Sequence, residues 1–162
     1  MKPTVYIETS IVSYLTARIS RDLVVAGRQQ LTRTWWDAQR RHFELYISEL
    51  VVEECREGDS VASRNRLDAL RSFPVLQTVP EAVKLASRFV AHKCVPPSAC
   101  VDALHIAVAT VNNLSYLMTW NCAHIANATI RSHLVLEADL AGYRLPVICT
   151  PEELLGGHHG NL

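Results

Sequence analysis

Short runs of β-branched and aromatic residues alternate along the chain with longer segments in which apolar residues recur at helical spacing. This pattern predicts five strands, at residues 4–7, 43–47, 75–79, 115–119 and 146–149. It predicts seven helices, at residues 9–15, 21–41, 49–57, 61–73, 81–92, 100–111 and 130–141, with Ser48 and Ser60 as caps of the third and fourth. Strands that alternate with helices predict an α/β fold in which a parallel sheet is covered on both faces.

The length of the chain and its composition favour one globular domain. The 162 residues include 49% hydrophobic and 20% charged residues, and no repeat or linker divides them. We expect a single domain over residues 1–155 and a flexible, Gly-rich tail over residues 156–162. The absence of a long apolar run or a leader-like N-terminus predicts a soluble, cytoplasmic protein with no membrane partner.

Formal charge and cysteine content narrow the function further. Sixteen basic and sixteen acidic residues cancel, so a polyanion would have to be bound by a local patch. The five cysteines are scattered without a C-x-x-C pair, which argues against a disulfide scaffold or a zinc ribbon and favours small core residues in a reducing compartment. With only six glycines there is no glycine-rich phosphate-binding motif.

Four polar residues follow predicted strands or begin helices behind them: Glu8, Glu54, Asp102 and Asn121. In open parallel sheets the ligand site lies beyond the carboxyl ends of the strands, so we expect these side chains to lie close together. Oxygen ligands of this kind suit Mg²⁺ or Mn²⁺. Each residue also has a plainer interpretation, since Glu8 and Asp102 can be stabilised by helix N-termini, and for Asn121 a capping role in the turn at 122–125 is favoured.

Two adjacent acids in the third helix can be separated by their helical position. Glu53 shares a charged face with Glu49 and Glu57, whereas Glu54 follows Leu50 by four residues and therefore lies on the apolar stripe. A carboxylate there is costly unless a cation or a basic partner compensates it. This position favours Glu54 as the functional acid. His105, in the apolar helix DALHIAVA, is interpreted first as a core histidine with satisfied hydrogen bonds and second as a group that orients a carboxylate.

The segments YIETSI, SELVVEECREG, DALHIAVA and LMTWN occur in this order from about residue 5 to residue 149. Together they resemble the PIN-domain nucleases, especially the VapC-type toxins of bacterial toxin–antitoxin pairs. The resemblance implies a three-layer α/β/α sandwich with a mostly parallel sheet. It also implies a ribonuclease centre that depends on Mg²⁺ or Mn²⁺, and neutralisation by a small antitoxin protein.

Carried over by position, the acids of the family fall on Glu8, Glu54 and Asp102, as metal ligands and catalytic residues, and its fourth acid falls on Asn121. The sequence departs from the pattern of the family at two of these positions. The first acid is usually Asp, and the extra methylene of Glu8 moves its carboxylate by about 1.5 Å. Asn121 removes a charge and should weaken metal binding, so that reduced activity or a purely binding role is the alternative to a ribonuclease.

A basic segment at residues 18–42 is a candidate surface for RNA. Two aspartates offset six arginines there, so its formal charge is +4. Trp35 or Trp36 could stack on an unpaired base, although Trp35 also fits the core stripe and basic helix faces are often only solvated. The same region could hold an antitoxin or a second copy of the chain, since a homodimer is expected. The six arginines are Arg18, Arg21, Arg28, Arg33, Arg40 and Arg41.

Overall fold

A computed structural model describes residues 1–156, and the predicted tail lies outside these residues except for Gly156. Five parallel strands form one sheet in the order β3-β2-β1-β4-β5. Their bounds are β1 Thr4–Ile7, β2 Glu44–Ser48, β3 Val75–Leu76, β4 Tyr116–Met118 and β5 Val147–Cys149. The predicted α/β sandwich with a parallel sheet is confirmed.

Seven α-helices are found within the described residues, as predicted. Their bounds are α1 Thr9–Thr16, α2 Leu23–Ala38, α3 Glu49–Arg56, α4 Ser60–Leu70, α5 Pro80–Ala91, α6 Cys100–Val111 and α7 Ala128–Leu140. Helices α1 to α4 pack on one another, and α5 packs on α6 and α7, which gives one helical layer on each face of the sheet. None of these helices is both long enough and apolar enough to cross a bilayer.

The strand order creates a switch point between β1 and β4. From β1 the chain moves outward to β2 and β3 through α1 to α4, and it then returns to the other side of β1 through α5 and α6. The two crossovers that start at neighbouring strands leave in opposite directions, which opens a crevice at the carboxyl ends of β1 and β4. Residues that follow these two strands therefore face a common cleft.

Apolar side chains of the central strands and of α6 fill the core. Tyr6, Ile7, Ile106 and Leu117 are fully buried, which explains why α6 is apolar almost all round.

Two local predictions are wrong. Asp59 caps α4 in place of Ser60, because its carboxylate accepts the first free amides of the helix. The third strand spans only two residues, as expected for a short strand at the edge of a sheet.

Candidate metal centre

Glu8 is the residue that links β1 to α1. Its backbone N–H donates to the carbonyl oxygen of Met118 at 3.1 Å, so the end of β1 is tied to the end of β4. Its side chain does not cap α1. Instead Oε2 accepts hydrogen bonds from the hydroxyls of Ser10 and, at 2.6 Å, Thr119. Glu8 is thus the N-cap residue of α1 without a capping hydrogen bond from its side chain, and its carboxylate is held by neutral donors instead.

Glu54 enters the same cleft from α3. Ser48 caps this helix, and Val51 and Cys55 are buried on the face that the helix turns to the protein. Glu54 lies beside this face and is half-buried, whereas Glu53 is exposed, as predicted from helical spacing. Its Oε1 accepts from Thr9 Oγ1 at 2.8 Å and lies 2.6 Å from His105 Nε2.

His105 joins the carboxylate of Glu54 to the core. The ring is fully buried, and its Nδ1 lies 2.6 Å from the hydroxyl of Tyr6, which in turn lies 2.6 Å from Ser48 Oγ. Burial raises the pKa of Tyr6 above its usual range, so the phenol keeps its proton at neutral pH. His105 is thus a core histidine with both nitrogens satisfied, as expected, and it also fixes the orientation of a carboxylate.

The ionisation of Glu54 reflects two opposed effects. Burial raises its pKa, but the hydrogen bond from His105 and the electrostatic attraction of that ring, with a further hydrogen bond from Thr9, outweigh burial and lower the pKa overall. The carboxylate is therefore ionised at neutral pH, and Nε2 of His105 is the donor, since an ionised carboxylate only accepts hydrogen bonds.

Glu8, Glu54 and His105 form a compact group in which one ligand atom from each lies within 4.8 Å of the others. Within residues 1–156, no donor bonds to Oε1 of Glu8 or Oε2 of Glu54, so each carboxylate has one engaged and one open oxygen. Two carboxylates this close repel one another unless a cation lies between them. Open carboxylate oxygens fit the ligand preference of Mg²⁺ and Mn²⁺.

Asp102 and Asn121 lie at the same end of the fold but are not in this group of three. Asp102 is in the first turn of α6, one helical turn before His105, and its Oδ2 lies 3.0 Å from His124 Nδ1. Asn121 Oδ1 accepts the backbone N–H of His124 at 3.1 Å, the cap favoured from the sequence. His124 thus connects the third and fourth predicted residues, a link that no sequence spacing indicated.

The basic segment does not form one uniform surface. Arg33 donates to the carbonyl oxygens of Leu15 and Ala17, and Arg40 stacks over Trp36, so both have structural contacts. Arg28 stacks over Trp120, the residue that follows Thr119 in the chain. The remaining three, Arg18, Arg21 and Arg41, are exposed.

The prediction that Trp35 or Trp36 stacks on a base is wrong, and the alternative that Trp35 belongs to the core is confirmed. Trp35 is fully buried and Trp36 is 7% exposed, because they pack against Phe43 and Phe73 in the core. The cysteine prediction is correct for three of five residues, since Cys55, Cys94 and Cys149 are buried, while Cys100 and Cys122 are exposed.

Ser10, Thr119 and Tyr6 are site residues that the sequence did not single out. Ser10 and Thr119 hold Glu8, although 109 positions separate them in the chain. Their hydroxyls are of a type that occurs throughout the sequence. One available signal was that each lies within two residues of a predicted site residue.

Solved structures that share this fold include two from toxin–antitoxin systems. VapC20 of Mycobacterium tuberculosis, described as a sarcin–ricin loop cleaving toxin, matches with a TM-score of 0.58 and 14% identity over 76% of this chain and 94% of its own. A chain of the VapBC2 complex of Rickettsia felis, solved with a DNA fragment from its promoter, matches with a TM-score of 0.59 and 12% identity over 91% and 98%.

The chain therefore shares the fold of these VapC structures, which is the fold that the resemblance to the PIN-domain nucleases implied. No protein-family profile matches the sequence, and no curated protein sequence is significantly similar to it.

Proposed function

We propose that this protein is a metal-dependent endoribonuclease and the toxin of a type II toxin–antitoxin pair. One observation carries the proposal: Glu8 and Glu54 converge at the switch point of the sheet, each with one oxygen fixed by the protein and one oxygen open. The fold of VapC20, a toxin that cleaves RNA, supports the same reaction class.

The chain supplies a rigid acidic frame to the reaction. Glu8 and Glu54 would hold Mg²⁺ or Mn²⁺, and Asp102 remains the predicted third carboxylate. A bound divalent cation polarises a phosphoryl oxygen and lowers the pKa of a bound water, which supplies a nucleophile at neutral pH. Ser10, Thr119, Thr9 and His105 keep the two glutamates from rotating, so little ordering remains to be done when the cation and RNA bind.

The partners follow from the same comparison. The VapBC2 complex of R. felis supports an antitoxin as a partner of this chain. We also propose that the protein forms a homodimer and acts in the cytoplasm. Co-expression with the product of the neighbouring open reading frame tests it. A stable complex that suppresses RNA cleavage is the expected result.

A non-catalytic RNA- or protein-binding module is the second candidate. One observation favours it: Asp102 and Asn121 are both engaged with His124, which leaves two of the three predicted carboxylates in the group. Fewer carboxylates bind a divalent cation more weakly.

The test is cleavage of structured RNAs, including a sarcin–ricin loop hairpin, by purified protein with Mg²⁺, Mn²⁺ or EDTA. Cleavage that needs the metal and is abolished in Glu54→Gln supports the ribonuclease. Glu53→Gln is the matched control, since this neighbouring glutamate is exposed and lies outside the group. Absence of cleavage with every RNA and metal, with the protein folded, would favour the binding module.

A further inference from the structure

A phosphate that approaches Glu8 and Glu54 meets two negative charges. Repulsion between like charges a few ångströms apart is strong in a half-buried cleft, where water screens it poorly. A divalent cation bound by the pair would offset this repulsion at the phosphate that it contacts, and a fixed positive charge nearby would hold a further phosphate of the substrate. Among the six arginines of the basic segment, Arg28 differs from the others because it contacts the loop that follows β4.

Arg28 is fixed against the loop that follows β4. Its guanidinium lies 5.3 Å from the centre of the Trp120 ring, and one of its terminal nitrogens lies 4.0 Å from Cys122 Sγ. Trp120 is itself held on both sides, since its Nε1 donates to Thr32 at 2.7 Å and Tyr14 packs on it with ring centroids 6.3 Å apart. The stacked arginine is thus oriented before any ligand binds.

The same loop connects Arg28 to the acid pair. Trp120 follows Thr119, whose hydroxyl donates to Glu8, and the backbone N–H of Trp120 donates to Ser10 Oγ at 2.8 Å. Ser10 in turn donates to Glu8. Contacts through Trp120, Thr119 and Ser10 therefore connect the guanidinium of Arg28 to the carboxylate of Glu8.

The charge of Arg28 is not matched by the protein. Within residues 1–156, no carboxylate forms an ion pair with it, in contrast to Arg88, which pairs with Glu137. Stacking occupies a face of the planar guanidinium and leaves donors at its edge, which is the geometry that binds a phosphate with two hydrogen bonds. A cation held by an aromatic ring also loses less side-chain entropy on binding.

We infer that Arg28 is the positioning residue that anchors an RNA phosphate beside the Glu8 and Glu54 pair. The inference rests on the proposed function for the identity of the substrate, and it narrows the predicted basic surface to one residue that acts at the site. Arg33 and Arg40 then have mainly structural roles, in agreement with their contacts.

The experiment measures binding and cleavage separately. Affinity for a labelled, cleavage-resistant 2′-O-methyl RNA is measured without metal over a range of salt concentrations, and KM and kcat are measured with a cleavable RNA and Mn²⁺. The variants are Arg28→Gln, Arg28→Lys and Arg144→Gln. Arg144 is the matched control, because it is exposed and lies shortly before the start of β5, at the opposite end of the sheet.

For Arg28→Gln we expect about tenfold weaker binding, as for the loss of a charge-assisted hydrogen bond. The slope of log affinity against log salt should fall by about 0.7, the value for one phosphate contact on a single strand. KM should rise while kcat changes little. Arg28→Lys should keep the slope and recover part of the affinity, and Arg144→Gln should match the unmodified protein.

Several results would overturn the inference. These are equal effects of Arg28→Gln and Arg144→Gln, a protein with no affinity for RNA, or an Arg28→Gln variant that loses only antitoxin binding. A large drop in melting temperature that Arg28→Lys reverses without restoring RNA affinity would assign Arg28 a structural role. Binding that depends on Arg28, with no cleavage by any variant, would refute the ribonuclease and leave the phosphate anchor standing.

Discussion

Within residues 1–156, the cluster of Glu8, Glu54 and His105 and the cluster of Glu137, Arg88 and His92 are built in opposite ways. Glu137 of α7 is 8% exposed and Glu8 is 5% exposed, so burial alone does not distinguish them. Both oxygens of Glu137 are matched by basic groups, Arg88 at 2.6 Å and His92 at 2.9 Å. Glu8 is held on one oxygen by two neutral hydroxyls, and its other oxygen is open.

The difference indicates what each cluster does. A carboxylate with Arg88 on one oxygen and His92 on the other has no capacity left for a ligand, and it serves to hold α5 against α7. A pair of carboxylates held by three hydroxyls and one histidine keeps more of its negative charge uncompensated, which is costly in a half-buried site. The acid pair therefore has a physical reason to bind a cation, and Glu137 has none.

The first prediction tests this contrast through metal binding. Mn²⁺ at about one hundred times its dissociation constant should add about 2.7 kcal/mol to the free energy of unfolding, because it binds only the folded protein. Glu54→Gln should lose this increment, and Glu137→Gln should retain it. Urea unfolding with and without Mn²⁺ measures both. If the two variants responded alike, the distinction between the clusters would be wrong.

The second prediction concerns the stabilising cluster. Glu137→Gln should lower the free energy of unfolding by about 2 kcal/mol in metal-free buffer, since Arg88 loses its ionic partner and His92 its carboxylate acceptor inside the helix interface. Glu53→Gln, at an exposed position, should change it by less than about 0.5 kcal/mol. Urea unfolding compares the variants. Unchanged stability of Glu137→Gln would show that the ion pairs do not hold α5 and α7 together.

The third prediction concerns a further acid added to the site at Asn121. Asn121→Asp should tighten Mn²⁺ binding by up to about tenfold, because it adds a negative charge near the group and keeps the oxygen that caps the turn at His124. Titration calorimetry measures the affinity. Asn127→Asp is the matched control, since Asn127 also caps through its side chain but at the start of α7. Equal affinities of the two variants would remove Asn121 from the site.

The smallest expected effect is on the pH dependence of stability. The folded state lowers the pKa of Glu54, so its ionised carboxylate stabilises the protein above the unfolded pKa of about 4.3 and the contribution disappears as pH falls through the lower folded value. The stability difference between the unmodified protein and Glu54→Gln should therefore shrink below about pH 4. Urea unfolding in metal-free buffer over this range measures it. A difference independent of pH would show that the folded protein does not favour the charged form.

Much of the fold follows from local pattern. The bounds of β1 and α6 match the predicted ranges, because strand runs and helical periodicity are encoded within a few neighbouring residues. The choice of Glu54 over Glu53 has the same origin, since two adjacent positions on a helix point about 100° apart. Local pattern also predicted which residues follow strands, and hence the end of the sheet at which the candidate site lies.

The partners of those side chains were decided only by the tertiary structure. Thr119 reaches Glu8 across 111 positions, and His105 reaches Glu54 across 51. Such pairings depend on the order of strands in the sheet and on side-chain rotation, and neither leaves a periodic signal in the sequence. For the same reason composition could identify a basic segment, but only packing against Trp120 separates Arg28 from five other arginines. The sequence determined which groups are available, and the long-range contacts determined which oxygens and cations remain open to a ligand.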